Sequence, residues 1–340
     1  MRACIAYGAG DLRVDEISRP EPGPGEVAVR VSLGGICGSD LHYYHRGGVG
    51  DFLIRQPMVL GHEVVGHVSA LGAGAAGPPA GTPVAVHPAT ACNHCPECRA
   101  GRRNICRNTR YLGSAAHFPH VQGGFRDVIT VPADQIYPLP DGLDLRRAVL
   151  AEPLAVAVHA VRRAGEVAGR RVLVTGAGPI GALVVAALAQ AGAAEIAVSD
   201  LVPQALAVAA AVGATTTLRA DQPDSGAWPE DVDVAIEASG SGPGLATCLR
   251  RVRRGGTVVQ LGLLPPGDTA IAGNALVTRE IQVLGAFRFD REFSTSLDLL
   301  AGGLAVDPIL THSYPLESAV AAFDLAGDRS SACKVVLEFS

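Results

Sequence analysis

The segment from Arg171 to Gly181 restricts the fold of this chain more than any other stretch. It consists of a short apolar run, the pattern Gly-x-Gly-x-x-Gly and the start of an alanine-rich run. A strand, this turn and a helix together bind dinucleotides, because the glycines let a pyrophosphate approach the backbone and the helix N-terminus favours its charge. An ordinary glycine-rich turn is the alternative. The predicted cofactor contacts are Gly176, Gly178, Pro179, Ile180 and Gly181.

Asp200 ends the next predicted strand, about twenty residues after this turn. An acid at this distance accepts hydrogen bonds from a ribose hydroxyl of the cofactor. Its charge repels a 2′-phosphate, and no arginine directly follows it. The sequence therefore favours NAD, and NADP remains possible.

The pattern of apolar residues changes near Glu152. Before it, short alternating runs are broken by proline and glycine, which predicts strands and turns. After it, apolar runs typical of buried parallel strands alternate with alanine-rich runs typical of helices, so we predict an α/β protein. With 340 residues the chain is long enough for two domains. The strands predicted in the second part are 171–175, 195–199, 232–237, 257–261, 282–285 and 334–339, and the helices are 183–190, 203–212, 293–300 and 316–325.

Four cysteines lie within fifteen residues, in the pattern C-x2-C-x2-C-x7-C. Four thiolates can surround Zn²⁺ as a tetrahedron without an open position, which makes such a site structural. The segment has few apolar residues and could hardly order itself without a metal. Disulfides or surface thiols are the alternative, disfavoured in a chain without a secretion signal. We predict a zinc lobe over residues of about 90–108, with the ligands Cys92, Cys95, Cys98 and Cys106.

A second group of metal ligands is predicted around Cys37 and His62-Glu63. A thiolate, an imidazole and a carboxylate suit Zn²⁺, and three protein ligands leave one position open for a substrate. Each residue alone has an ordinary explanation, because a single cysteine is more often a small buried apolar residue. From the four-cysteine lobe and this second group, we predict two zinc ions per chain, one structural and one catalytic.

Composition excludes several classes of function. A net charge of −5 provides no basic stripe for nucleic acid. The longest apolar run, residues 180–189, is too short to cross a membrane, and the first residues lack a signal peptide, so we expect a cytoplasmic protein that acts on small molecules. Lys334 is the only lysine among 28 basic residues, which we attribute to genome composition.

With both cysteine patterns ahead of the glycine turn, the chain resembles the zinc-containing medium-chain dehydrogenases over its full length. The stretches 38–44 and 152–159 are similar to the sorbitol dehydrogenase branch, with Glu152 where alcohol dehydrogenases of the family have a third cysteine ligand. The resemblance implies a GroES-like β-rich catalytic domain over residues 1–153 and 291–340. It also implies a Rossmann cofactor domain over 154–290 and a homotetramer or homodimer.

The resemblance also assigns roles in an NAD(P)-dependent alcohol oxidation. Cys37 and His62 bind the catalytic zinc, and Glu63 or Glu152 completes the shell, directly or through water. Three further residues lie on the segment after Cys37. Asp40 orients His62, Ser39 contacts the reacting hydroxyl, and His42 relays the proton.

The predicted substrate is a secondary alcohol of a sugar acid. A substrate carboxylate requires a basic partner, ideally an arginine. Arg288 is a candidate, although it could equally contact the cofactor or a polyol hydroxyl; the others are Arg46, Arg55 and Arg110. The alternatives are a neutral polyol such as sorbitol or xylitol and, more remotely, a non-catalytic nucleotide-binding protein stabilised by zinc.

Overall fold

Short strands dominate the first half of the chain, and strands alternate with helices in the second. The computed structural model describes residues 1–222 and 228–339. The strands are β1 (Arg2–Gly8), β2 (Asp11–Glu16), β3 (Glu26–Gly35), β4 (Gly48–Val49), β5 (Phe52–Leu53), β6 (Met58–Val59), β7 (Glu63–Leu71), β8 (Pro83–Val86), β9 (Ala89–Thr90), β10 (Arg110–Tyr111), β11 (Val128–Pro132), β12 (Ile136–Pro138), β13 (Arg171–Thr175), β14 (Glu195–Asp200), β15 (Thr216–Arg219), β16 (Val232–Glu237), β17 (Val252–Gln260), β18 (Gln282–Gly285), β19 (Leu310–Pro315) and β20 (Lys334–Glu338).

The helices begin with a short one beside the first cysteine group and end close to the last strand. They are α1 (Gly38–Arg46), α2 (Pro96–Arg99), α3 (Leu145–Ala148), α4 (Ala151–Ala164), α5 (Pro179–Gln190), α6 (Pro203–Ala211), α7 (Gly242–Arg251), α8 (Gly273–Arg279), α9 (Glu292–Ala301) and α10 (Ala319–Gly327). In the described ranges, no helix is long and apolar enough to cross a bilayer.

The second half of the chain forms a six-stranded parallel sheet in the order β15-β14-β13-β16-β17-β18. The strand order reverses between β13 and β16: β14 and β15 follow β13 toward one edge of the sheet, and β17 and β18 follow β16 toward the other. At such a reversal a crevice opens at the carboxyl ends of the two central strands. Helices α4 and α5 pack in the apolar core of this sheet. The predicted Rossmann fold is confirmed.

Two glycines bring helix α5 close to the crevice. Gly176 has φ +92°, and a Cβ there would lie 2.6 Å from the backbone nitrogen of Ser239. A Cβ on Gly181 would lie 1.9 Å from the carbonyl oxygen of Gly176. Only glycine allows both the turn and this contact. Pro179 begins the helix, where its missing N–H has no intrahelical partner to lose.

The first half forms a second, mostly antiparallel sheet that the end of the chain completes. Its order is β12-β8-β7-β3-β20-β19, and β11 also pairs with β3. Gly35, at the end of β3, lies opposite Glu63 of β7 on one side and Val336 of β20 on the other. Three distant parts of the sequence therefore meet beside Cys37.

The predicted domain boundaries remain a proposal. The boundary at 153 lies inside helix α4. The boundary at 290 assigns α9 to the catalytic domain, whereas most of α4 falls in the cofactor domain. These two helices pack together in one apolar core, through residues such as Leu154, Phe293 and Leu297. The core of the cofactor sheet thus extends over both helices.

Candidate active site

Cys37, His62 and Glu63 form a compact group of metal ligands. The Sγ, ring nitrogen and carboxylate oxygen of the three residues all lie within 4.8 Å of one another. Their neighbouring strands explain this proximity, because Gly35 pairs with Glu63 across β3 and β7. A Cβ at Gly35 would lie 2.2 Å from a carboxylate oxygen of Glu63, so any larger residue at position 35 would displace the Glu63 carboxylate. The donor set suits Zn²⁺ with one open position.

Asp40 connects the two segments that carry these ligands. It is fully buried, and its two oxygens accept hydrogen bonds from the backbone nitrogens of Cys37 (3.0 Å) and Gly61 (3.1 Å). Its Oδ1 lies 3.8 Å from Nδ1 of His62, which is longer than a hydrogen bond. Burial lowers the pKa of His62, but the charges of Asp40 and Cys37 outweigh it and raise that pKa well above the usual value. The predicted orienting role of Asp40 remains a proposal, and the two hydrogen bonds described here come from backbone nitrogens.

Lys334 is a residue of the site that sequence reasoning missed. Its buried Nζ donates to both oxygens of Glu63, at 2.8 Å each, and to the carbonyl oxygen of Ile36 at 3.0 Å. All three ammonium protons are thus used. Burial lowers the pKa of Lys334, but Glu63 and Cys37 outweigh it and raise that pKa. The available signal was its uniqueness, since this chain otherwise uses arginine for its positive side chains.

Glu152 lies beside the ligand group and not within it. Among the described residues, the group that converges within 4.8 Å contains Cys37, His62 and Glu63. Glu152 is in the first turn of α4 and accepts a 2.5 Å hydrogen bond from the hydroxyl of Tyr111, whose ring lies 5.5 Å from that of His62. Burial, with Glu63 as a further cause, raises the pKa of Glu152 to about 7.

Ser39 and His42 are three residues apart on α1, which places them on neighbouring positions of one helix face. Both are half-buried. Burial lowers the pKa of His42, and the charges of Arg46 and Arg329 lower it further. The imidazole is therefore neutral at pH 7 and can accept a proton. The catalytic roles of both residues remain proposals.

Of the four predicted arginines, Arg288 stacks on Tyr111, whose ring lies 5.5 Å from that of His62. Its guanidinium lies 4.5 Å from the centre of the Tyr111 ring and 4.7 Å from that of Phe287. Arg55 instead lies over the exposed ring of Phe118, at 5.0 Å. Arg46 and Arg110 are exposed.

The four lobe cysteines converge as their spacing predicts. All four sulfur atoms lie within 4.8 Å of one another, and none of these cysteines is in a disulfide. The Sγ atoms of Cys95 and Cys106 are 3.9 Å apart. Zn–S bonds of about 2.3 Å in a tetrahedron require sulfur atoms about 3.8 Å apart. The lobe projects from the paired strands β9 and β10, and the donor set fits zinc.

In the cofactor crevice, Asp200 holds the glycine turn. Its carboxylate accepts hydrogen bonds from the backbone nitrogens of Ala177 (2.7 Å) and Val202 (2.9 Å). Arg219 lies directly opposite Asp200 across the pairing of β14 with β15, and it forms an ion pair with Asp221 at 2.7 Å. Sequence reasoning considered only the residues after Asp200 and missed this arginine, because the pairing of β15 was not predicted.

Comparison with known proteins agrees with this geometry. Residues 23–141 match the alcohol dehydrogenase GroES-like domain, and residues 179–302 match the zinc-binding dehydrogenase family. The chain is 39% identical to L-idonate 5-dehydrogenase (NAD(P)(+)) of Escherichia coli, over 99% of this chain and 98% of the relative. It is 35% identical to sorbitol dehydrogenase of Gallus gallus, over 99% and 96% of the two chains.

Solved structures show the same relationship. The crystal structure of the Escherichia coli L-idonate 5-dehydrogenase superposes with a TM-score of 0.94 at 38% identity, covering 99% of this chain and 98% of the other. A Sinorhizobium meliloti protein assigned to the zinc-binding dehydrogenases and solved with NADP superposes with a TM-score of 0.89 at 32% identity. The match covers 99% of this chain and 98% of the other.

The two folds and the two ligand groups define a zinc-dependent dehydrogenase. The chain belongs to the zinc-binding alcohol dehydrogenase family, and it is an NAD(P)-dependent oxidoreductase. The predicted family, fold class, enzyme class and cofactors are confirmed. Family membership also argues against the non-catalytic alternative.

Proposed function

We propose that the chain oxidises L-idonate at C5 to 5-keto-D-gluconate, with hydride transfer to NAD(P)⁺. The observation that supports this substrate is Arg288, half-buried and stacked on Tyr111 next to the metal ligands. A sugar acid needs a cation within reach of the reacting hydroxyl, and a guanidinium binds a carboxylate with two parallel hydrogen bonds. The likeness to the Escherichia coli enzyme points the same way.

The ligand group and the crevice would hold the two cofactors. When bound, zinc lowers the pKa of a hydroxyl at its open position, and the nicotinamide accepts the hydride. Cys37, His62 and Glu63 would hold the metal, with Glu63 the direct carboxylate because one of its oxygens lies within 4.8 Å of the other two donors. Glu152, fixed by Tyr111, would accept a hydrogen bond at the open position.

The proton of the substrate hydroxyl leaves along α1. Ser39 would accept this proton while passing its own toward His42, which is neutral at pH 7 and half-exposed. His42 would then release the proton to solvent. Arg288 would hold the substrate carboxylate and would thereby orient the C5 hydroxyl toward the ligand group.

The cofactor preference follows from the neighbours of the adenosine ribose. Asp200 favours NAD, because its carboxylate would accept from the ribose hydroxyls and repel a 2′-phosphate. Arg219, on the adjacent strand, offers a guanidinium that could pair with that phosphate. We therefore propose NAD as the preferred cofactor and NADP as a usable one.

The assembly and the compartment are also proposals. Strand β18 is the outer strand of the cofactor sheet, and Val277, Val283 and Phe287 near it expose large apolar surfaces. Pairing of this edge with a second copy would cover them and would give a homodimer or homotetramer. A cluster of four free thiols fits the reducing cytoplasm.

A substrate panel tests the proposal. We expect kcat/KM for L-idonate to exceed that for sorbitol and xylitol, with either cofactor. Arg288→Gln should lower kcat/KM for L-idonate by about 10- to 100-fold, the size of a charged hydrogen bond of about 1.5–3 kcal/mol. Arg55→Gln is the matched control and should change it less than twofold.

A neutral polyol is the second candidate, because the sorbitol dehydrogenases match the chain almost as well as the L-idonate enzyme. In that case Arg288 would donate to substrate hydroxyls. If the enzyme turns over sorbitol faster than L-idonate, and Arg288→Gln lowers kcat/KM equally for both, the substrate is a polyol and the proposed sugar acid is wrong.

A further inference from the structure

We propose that the four-cysteine lobe positions Arg288 through two side chains, Asn104 and Arg103. We call these two residues the lobe tether. The lobe would then support substrate binding in addition to the fold. This inference rests on the proposed function, since it assumes that Arg288 contacts the substrate.

The backbone of Arg288 needs such support. Its φ is +52°, in the left-handed region that non-glycine residues rarely adopt. A conformation of this kind persists only where the surrounding structure imposes it. Residues 286–291 connect β18 to α9 and lie outside both elements, so neither a strand nor a helix holds Arg288 in place.

The lobe supplies contacts on both sides of Arg288. On one side, Asn104 donates from Nδ2 to the carbonyl oxygen of Phe287 at 2.9 Å. On the other side, Arg103 pairs with Asp290, through Nε at 2.9 Å and a terminal nitrogen at 2.8 Å. The segment is therefore held by its backbone immediately before Arg288 and by a side chain two residues after it.

The side chain of Arg288 also lies on a residue of the same stretch. Tyr111, over which the guanidinium stacks, follows the lobe in β10. The three contacts thus come from residues 103–111, and Cys106 lies in the middle of them. A metal held by Cys106 would fix the positions of Asn104, two residues earlier, and of Arg103.

A second connection reinforces the first. Asn104 lies 3.5 Å from Nε2 of His159 on α4, and Nδ1 of His159 lies 3.2 Å from Glu292. Glu292 in turn accepts a hydrogen bond from the backbone nitrogen of Asp290, at 2.9 Å. The segment that carries Arg288 is thereby held between the lobe and helices α4 and α9.

This arrangement predicts a specific kinetic effect. The side-chain hydrogen bonds of Arg103 and Asn104 reach neither the catalytic ligand group nor the cofactor turn, so the loss of these side chains should leave the chemical step intact. It should weaken the binding of a substrate anion, because Arg288 would no longer be held where the carboxylate binds. Asn104 and Arg103 are therefore positioning residues.

The test uses the zinc-loaded full chain with Asn104→Ala, Arg103→Ala and the double variant. Arg99→Ala is the matched control, since Arg99 is an exposed lobe arginine. We expect the double variant to raise KM for L-idonate about tenfold and to change kcat less than twofold. Arg103→Lys, which keeps a charged donor for Asp290, should recover part of the loss.

Amide hydrogen exchange of residues 286–291 gives a second readout that needs no substrate. Exchange there should be at least tenfold faster in the double variant than in Arg99→Ala, with zinc content unchanged at two per chain. Unchanged exchange would overturn the tether. If exchange rises but L-idonate is not turned over by the unaltered enzyme, the tether stands and the proposed substrate fails.

Discussion

The two candidate zinc sites of this molecule draw their ligands from the sequence in opposite ways. The lobe takes its four ligands from fifteen consecutive residues, whereas the candidate catalytic group depends on residues 37, 62, 63 and 334. The first is a property of a short segment, and the second is a property of the completed sheet. A substitution in the lobe should therefore have a local effect, and one at the catalytic group should depend on the surrounding fold.

Loss of a lobe ligand should produce the largest effect and test whether the lobe is independent. Binding of structural zinc is worth about 10–16 kcal/mol in small zinc-binding peptides, so Cys98→Ser should leave residues 92–106 without stable structure. Metal analysis should fall from two zinc ions to one, and a protease should cleave within the lobe. Retention of two zinc ions would contradict the predicted ligand set.

Loss of a catalytic ligand should remove activity and keep the fold. Cys37→Ser should lower kcat/KM at least about 1000-fold, because a metal supplies several kcal/mol of transition-state stabilisation. One zinc ion should remain, in the lobe, and the thermal midpoint should change little. Wild-type turnover by a variant that has verifiably lost this metal would remove the catalytic group from the mechanism.

Lys334→Met tests how far the catalytic group depends on the sheet. It leaves the buried carboxylate of Glu63 without its cation, which should cost about 3 kcal/mol of unfolding free energy in the metal-free protein. Bound zinc would supply the missing positive charge, so the loss of unfolding free energy should be smaller in the zinc-bound protein. Denaturant unfolding with and without zinc measures the difference, and Lys334→Arg is the charge-conserving control.

Glu292→Gln should have the smallest effect, at the contact between α9 and α4. Burial raises the pKa of Glu292, but hydrogen bonds from His159 and from the backbone nitrogen of Asp290 outweigh it and lower that pKa to about 2. A folded pKa below the usual 4.5 means that the ionised carboxylate stabilises the protein above pH 4.5. This contribution is lost as the pH falls from 4.5 to 2.

The expected cost of Glu292→Gln at pH 7 is about 1.5–2 kcal/mol of unfolding free energy, at the lower end of the contribution of a charged hydrogen bond. Thermal unfolding at pH 7 and pH 3 measures it, and the gap between variant and wild type should narrow at the lower pH. A gap that stays constant would show that the charge of Glu292 contributes nothing to stability.

The same contrast explains what the sequence could predict. The lobe and the glycine turn depend on spacing within a few residues, and both lie where their patterns indicate. Strand 232–237 and strand 282–285 have the predicted bounds, and α5 begins four residues earlier than predicted. Helix α4 was not predicted, although it carries Glu152.

Contacts between distant segments could not be predicted. Lys334 meets Glu63 because β20 pairs with β3, and Asn104 meets Phe287 because the lobe lies against the end of the cofactor sheet. Neither contact leaves a periodic signal in the chain, since each depends on how whole elements pack. The lysine was attributed to genome composition, and only its burial against a carboxylate shows what it does.

The salt bridge between Lys334 and Glu63 also sets an order of events during biosynthesis. Its two residues are 271 positions apart, so a ribosome must add most of the chain before the bond can form. The lobe can capture its metal soon after Cys106 emerges. Newly made chains would thus acquire one ion early and complete the second binding site only after the strand beginning at Lys334 has been translated.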